Sequence, residues 1–309
     1  MIKEQYIVDL SELETDLTEL RADKYLVEVS EDLSRTEIQE YFQLGLVTIN
    51  GKVVKASFKV QNGDIVDIAT KPTEPIKLES ENIPLNIVYE DDDVIVVNKP
   101  TGMVVHPAPG HYNGTLVNGL MYHCNELSTI SGEARAGIVH RIDKDTSGLL
   151  VACKNNYAHK VISEQLKEKT TKRKYIAIVV GNISHNLGKI NAPIGRDPEN
   201  RQKMAIVEGG KSAVTHFRVI DRFKDFTLLE LELETGRTHQ IRDHKAFIGH
   251  PVLNDPLYGI KKQTTEFGQY LHAKTLGFVH PRTDEYMEFT SELPEEFHAK
   301  INELKNLSK

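Results

Sequence analysis

The sequence lacks any apolar run of the roughly 20 residues that a membrane-spanning helix needs. Its start, Met1-Ile2-Lys3-Glu4-Gln5, has no secretory-signal character. Cysteine is scarce. Cys124 and Cys153 are the only two and form no closely spaced metal or redox motif, so a reducing cytoplasm is the expected compartment. An excess of positive charge is missing as well: the formal net charge is -7, which does not advertise a nucleic-acid binder.

What is present is an ordinary soluble composition, 39% apolar and 27% charged over 309 residues, enough for one large domain or two smaller ones. The charge is unevenly spread. Residues 1–80 hold 9 Lys and Arg against 16 Asp and Glu, while the remainder balances at 29 of each. An anionic partner must therefore meet a local basic face rather than a global field.

Along the chain, residues 1–20 read as an acidic leader with an extended stretch at Tyr6-Ile7-Val8. Helical spacing starts at Arg21, and Ser34 with Glu37 forms a capping box for a second helix. Leu46 to Val54 reads as two strands about Asn50-Gly51, a strong hairpin signal, and Gly63-Asp64 leads into a strand at Ile65–Ile68. Lys71-Pro72-Thr73-Glu74-Pro75 is a stiff linker. The expected domains are 1–70, a linker over 71–84, and 85–309. In the larger part, strands are expected at 85–90, 93–100, 175–180, 226–233 and 277–279. Helices are expected at 115–123, 157–167 and 295–304, with another beginning near Thr238.

Three stretches place charge among apolar neighbours. The first runs from Arg135 to Leu150, where Gly137-Ile138-Val139 and Gly148 to Ala152 read as buried strands around His140, Arg141, Asp143, Lys144, Asp145, Thr146 and Ser147. Scaffolds present reactive side chains on such loops. Solvated turns favour the same residue types, and spacing alone does not separate the two readings. The second is Thr171-Lys172-Arg173-Lys174-Tyr175, a basic run entering a strand. The third is Glu234-Thr235-Gly236-Arg237-Thr238-His239-Gln240-Ile241-Arg242, a strand end followed by a helix start.

HRIDKDTSGLL at 140–150, with NKPTGMVVHP before it, RKYIAIVVG and ETGRTHQIR after it, and IGHPVLNDPLYG and YLHAKTLGFVHPRT later, resembles the pseudouridine synthases of large-subunit ribosomal RNA. The likeness covers almost all of residues 85–300. Roughly residues 16–70 resemble the small RNA-binding domain named after the fourth small-subunit ribosomal protein, found on one branch of that family. The resemblance implies an α+β fold: a mixed, mainly antiparallel sheet with flanking helices, plus a small N-terminal α/β RNA-binding domain. It implies isomerisation of uridine to pseudouridine without metal, nucleotide or redox cofactor, by a monomer whose partner is ribosomal RNA or an assembling large subunit.

The family's essential aspartate falls on Asp143. A carboxylate suits positive charge developing at the anomeric carbon, as in glycoside cleavage. Direct attack on C1′ and removal of the 2′ proton both remain open. Asp145 is the nearby rival, expected instead to shape the turn. Arg242 matches the arginine that pairs with the aspartate. Tyr175 matches the tyrosine that stacks on the base, with C5 proton removal as its further task. Arg141 is expected to enter the space left by the extruded base or to hold the RNA backbone. Phosphate contacts are expected from Lys172, Arg173, Lys174 and Arg237, and from Arg35, Lys52, Lys55 and Lys59 of the small domain.

One departure stands out. Where the family has apolar residues around a histidine after Arg242, this chain has Asp243-His244-Lys245. Asp243 is placed to compete for Arg242, and apolar replacements at 243 and 245 are expected to stabilise the chain if both sites are buried. Three other functions fit some of the residues. A metal-dependent hydrolase would draw on His106, His111, His140, His244 and His250, which lack a close ligand pair. The others are a non-catalytic RNA-binding or ribosome-assembly protein, and a glycosidase that releases uracil.

Overall fold

The computed structural model describes residues 2–10, 20–30, 33, 35–69, 78–108, 111–200, 202–259 and 267–308. Ser34 of the expected capping box and the linker at 71–75 lie outside them, as does most of the acidic leader. Contacts divide the chain into two compact units, Met1–Ile76 and Lys77–Lys309.

The first unit comprises β1 (Ile2–Ile7), β2 (Leu20–Arg21), α1 (Ala22–Val29), α2 (Arg35–Gln43), β3 (Val47–Ile49), β4 (Lys52–Val53), β5 (Lys59–Val60) and β6 (Ile65–Ala69). Four strands pair in the order β1-β6-β3-β4, and β2 pairs with β5. The β3–β4 turn uses φ of 51° at Asn50 and 74° at Gly51, the double positive φ that suits the right-handed twist of a hairpin. Leu26, Ile38, Val47, Val66 and Ile68 close a core of this unit's own. Arg35 opens α2, Lys52 and Lys59 lie in β4 and β5, and Lys55 lies between them. All four side chains are exposed.

The second unit is built on a nine-stranded sheet. Its elements are β7 (Ile87–Glu90), β8 (Val94–Lys99), α3 (Leu116–His123), β9 (Ser147–Cys153), α4 (Asn156–Glu168), β10 (Lys172–Val180), β11 (Leu187–Asn191), β12 (Ile194–Arg196), β13 (Met204–Ile206), β14 (Val214–Arg222), β15 (Phe226–Leu233), α5 (Gln240–Phe247), β16 (Leu271–Val279), β17 (Tyr286–Thr290) and α6 (Glu295–Leu307). Strand order is β11-β14-β15-β10-β16-β9-β8-β7, with β17 also on β16 and β12–β13 a separate hairpin. Every pairing in the large sheet is antiparallel except β9 with β16. The fold is therefore α+β with a mixed, mainly antiparallel sheet.

Side-chain alternation gives the sheet two apolar faces. On one, Tyr175, Ala177, Val179, Leu229 and Leu231 pack with Leu116 and Leu120 of α3 and Ile241 of α5. On the other, Ala158 and Ile162 of α4 meet Val94, Val96 and Leu149, while Phe297, Ile301 and Leu304 of α6 cover Ile176, Ile178 and Leu228. Burying each large α6 side chain contributes about 1.5–3 kcal/mol.

Two details differ from the sequence reading. Gly137-Ile138-Val139 is not a strand: Ile138 forms a single bridge to Ala152, because a 3-10 turn at Glu133–Arg135 and a φ of 73° at Gly137 break the extension. Strands β2, β5, β11 to β14 and β17 were not foreseen.

Candidate active site

The loop carrying Asp143 descends into β9 and is fastened on several sides. Lys99, 1% exposed at the end of β8, gives its three protons to the carbonyls of Pro100, Met103 and Lys144 at 2.8, 2.8 and 2.9 Å. Burial pushes its ammonium down to about 7, against the pull of Asp143 and Asp145. The Thr101 hydroxyl lies within hydrogen-bonding distance of the carbonyls of Asp145 and Phe267. Gln269 donates to the Thr146 hydroxyl at 2.7 Å.

A second segment, the β15–α5 turn, delivers Arg242. The Gln240 side chain ties Thr235, the Arg237 amide, the Val214 carbonyl and Thr215 into one knot at the head of α5. Arg242 then donates through Nη1 to Asp143 Oδ2 at 2.9 Å, and through Nε and Nη2 to Asp255 at 2.6 and 2.8 Å. Its side chain is 4% exposed, Asp255's 0% and Asp143's 19%. Burial alone would lower the Arg242 pKa, yet the two carboxylates hold it above the ordinary value. Asp255, although buried, is held below the usual carboxylate range by Arg242 and by the amides of Tyr258 and Leu257.

These groups open on a cleft of about 450 Å³. Among the described residues lining it, Asp143 is the one carboxylate, against the cations Arg135, Arg141, Lys167, Arg173, Arg237 and Arg242. Asp145 does not line it. Tyr175 does, 8% exposed, with its hydroxyl pKa raised by burial. His239 precedes α5 in a left-handed conformation, φ 53°, which costs a non-glycine residue energy. Its Nδ1 is 3.1 Å from the Tyr258 hydroxyl and its Nε2 is 3.9 Å from Asp143 Oδ1.

The structure thus brings together Asp143, Tyr175, Arg141, Arg173, Arg237 and Arg242. It does not bring Lys172 or Lys174 to the cleft. Alternation in β10 turns them to the other face, where Lys172 meets Glu288 at 2.9 Å and Lys174 meets Glu230 at 3.2 Å. The same alternation, present in the sequence, separates these lysines from Arg173 and Tyr175. Asp255, Lys99 and His239 were missed, although each stands in a quoted motif: Asp before Pro256 in IGHPVLNDPLYG, Lys before Pro100 in NKPTG, and His after Thr238 in GRTHQIR.

Asp243 does not compete for Arg242, since successive helical side chains diverge. It is 6% exposed and Lys245 is 0% exposed. Asp243 Oδ2 and Lys245 Nζ have no hydrogen-bond partner among the described residues, although the ammonium lies 4.2 Å from the Phe217 ring centroid. Burial, with Asp197 nearby, pushes Asp243 up to about 6, and burial pushes Lys245 down to about 7. Between pH 7 and the ordinary lysine value of 10.5 the unfolded chain holds more protons, so the Lys245 penalty fades as pH rises through that window. Lys245→Leu is therefore expected to melt higher than wild type at pH 7, by about 1–4 kcal/mol of stability, with the advantage shrinking towards pH 10. Asp243→Val combined with it is expected to add to the gain at pH 7. Equal melting temperatures at pH 7 would contradict the buried placement.

The histidines considered as metal ligands do not gather. The one candidate group among the described residues is Asp91, Asp93 and His280, where Arg282 already donates twice to Asp93 at 2.6 Å and His280 lies 2.8 Å from Asp91. No helix among the described residues is long and apolar enough to cross a membrane.

Residues 93–247 match the RNA pseudouridylate synthase family, and residues 20–66 match the S4 domain. An uncharacterised RNA pseudouridine synthase of Bacillus subtilis is 54% identical over 298 residues, covering 96% of this chain and 98% of the relative. A Zymomonas mobilis protein named ribosomal large subunit pseudouridine synthase D is 46% identical over 289 residues, 89% of this chain and 91% of the relative. The solved structure of human RNA pseudouridylate synthase domain containing 1 superposes with a TM-score of 0.58 at 27% identity, over 70% of this chain and 86% of that one. The cleft and the sheet beneath it are those of an RNA-modifying isomerase. The chain belongs to the RNA pseudouridylate synthase family, with an S4 domain at its N-terminal side.

Proposed function

We propose that this protein converts uridines of large-subunit ribosomal RNA to pseudouridine in the cytoplasm, as a monomer, with Asp143 as the reacting carboxylate. Residues 1–70 serve as an RNA-binding domain and 85–309 as the catalytic domain, joined by 71–84. The observation that carries this reading is the line Asp143–Arg242–Asp255: the cleft's one carboxylate among the described residues is held by an arginine that a buried second carboxylate fixes from behind.

In the reaction, the uridine leaves its stack, at a cost of a few kcal/mol, so that its anomeric carbon is reachable. The exposed Arg141 beside the cleft takes the vacated space or the backbone, and Arg237 takes a phosphate. The N1–C1′ bond breaks with Asp143 facing the sugar. Tyr175 supports the turned base, C5 joins C1′, and the C5 proton leaves. Arg35, Lys52, Lys55 and Lys59 contribute sequence-independent affinity from the small domain.

The large-subunit assignment is tested by mapping pseudouridines across ribosomal RNA from cells with and without this protein. Loss of one or more large-subunit sites, restored by the wild-type gene and not by Asp143→Asn, is the expected result. An unchanged map would contradict the substrate.

A further inference from the structure

Arg173 is a buried cation without a counter-charge. It lies in β10 two residues before Tyr175, and strand alternation sets both on the cleft face. The residue is 6% exposed. Its Nε has no hydrogen-bond partner among the described residues, and Nη2 reaches only the Glu234 carbonyl, at 3.5 Å. No carboxylate among the described residues pairs with it, whereas Arg242, in the same cleft, has two. Burial lowers its pKa, opposing its charged form. A guanidinium left in this condition is destabilising, and an incoming anion offsets the penalty.

Space beside it is kept by Gly236. A Cβ there would stand 2.6 Å from Arg173 Nη1, so any side chain at 236 displaces the guanidinium. The turn that feeds α5 thus passes directly against the Arg173 guanidinium.

Resting on the uridine-isomerisation reading, we propose that Arg173 is a catalytic residue that receives the negative charge passing to uracil when the glycosidic bond breaks. The electron pair of N1–C1′ leaves with the base, and its charge spreads over N1, O2 and O4. When C5 bonds to C1′, C5 loses a proton and N1 gains one, so the product is an isomer and the charge is gone. The base is anionic only between those two events. A fixed cation facing it therefore stabilises the separated state more than bound uridine, which is the condition for raising kcat. A backbone phosphate is the other source of anionic oxygen in an RNA. Phosphates stay at the solvent edge, where Arg141 and Arg237 are exposed, while Arg173 is enclosed next to Tyr175.

The test is single-turnover kinetics with a short RNA carrying one target uridine, or 5-fluorouridine in its place, on wild type, Arg173→Gln and Arg173→Lys. Arg173→Gln is expected to slow glycosidic cleavage by about 10²–10³-fold with KM little changed. Arg173→Lys is expected to recover part of the rate. The defect shrinks with 5-fluorouridine, whose base carries negative charge more readily. A raised KM with unchanged kcat, and a salt dependence reduced by about one counterion, assigns a phosphate and overturns the uracil assignment. Unchanged rate and affinity overturn both. Melting curves separate these outcomes from misfolding, and Arg173→Lys keeps the comparison if Arg173→Gln fails to fold. Wild type that makes no pseudouridine removes the underlying reading, whereas active wild type matched by Arg173→Gln removes only this assignment.

Discussion

Asp143→Asn is expected to reduce pseudouridine formation on the order of 10⁴-fold or more, the scale seen when a reacting group is removed from a preorganised site. Asparagine keeps the size of the side chain and an oxygen for the Arg242 donor, and the site is 19% exposed, so the fold should change little. What disappears is the anionic oxygen that meets the sugar carbon. Asp145→Asn supplies the control. The Asp145 side chain does not line the cleft, and the atom of Asp145 that Thr101 approaches is the backbone carbonyl, which the substitution keeps. Activity close to wild type is expected there. Single-turnover rates with matched melting curves check both, and the opposite ranking would move the chemistry to Asp145.

Arg242→Met is expected to lower stability as well as activity. Asp255 is fully buried, and removing the guanidinium leaves its carboxylate with two backbone amides and no counter-charge. Breaking a buried pair from one side costs about 3–5 kcal/mol. For a domain of this size that is a fall in Tm of roughly 10 °C. The pH dependence identifies the cause. In wild type the Asp255 pKa is depressed, so its contribution is present above the ordinary carboxylate value and is lost as pH falls through the folded value. In the variant, burial without a partner raises that pKa, so protonation relieves the strain on acidification. The gap in Tm should therefore narrow towards pH 4. Adding Asp255→Leu is expected to restore stability and leave the enzyme inactive, separating the structural from the chemical role of Arg242. A variant that melts with wild type at every pH would contradict the buried triad.

Much of this molecule was legible in the sequence where local signals and packing agree. The Asn50-Gly51 hairpin, the helices over Leu116–His123, Asn156–Glu168 and Glu295–Leu307, and the strand Phe226–Leu233 all carry clear periodicity. Strand β14 did not, because Phe217-Arg218-Val219-Ile220-Asp221-Arg222 alternates between half-buried and exposed positions, with Asp221 on the half-buried side and Ile220 on the exposed one, and shows no clean apolar face. Glycine and turn signals around Arg135 to Val139 produce a coil where apolar residues alone suggested a strand.

The site divides in the same way. Asp143, Tyr175 and Arg242 stand in separate motifs, 99 residues apart at the ion pair, and the sheet order β15-β10-β16-β9 is what brings the turn into α5, β10 and the loop before β9 to one place. Asp255 escaped because Asn-Asp-Pro also reads as an ordinary turn, and its bond to Arg242 depends on how the chain returns after α5. Lys99 looked like a strand end. Its three carbonyl acceptors come from two segments, 1, 4 and 45 residues away, a convergence no local pattern reveals.

The central claim is that Asp143 drives isomerisation of uridine within RNA, and release of the C5 hydrogen tests it most directly. Large-subunit ribosomal RNA labelled with tritium at uridine C5 would be incubated with wild type and with Asp143→Asn, and tritium in water and free uracil would both be measured. One tritium released per pseudouridine formed by wild type, no free uracil, and no release by Asp143→Asn is the predicted result. Release by Asp143→Asn at the wild-type rate would contradict the role of Asp143, and free labelled uracil from wild type would replace the isomerase with a glycosidase.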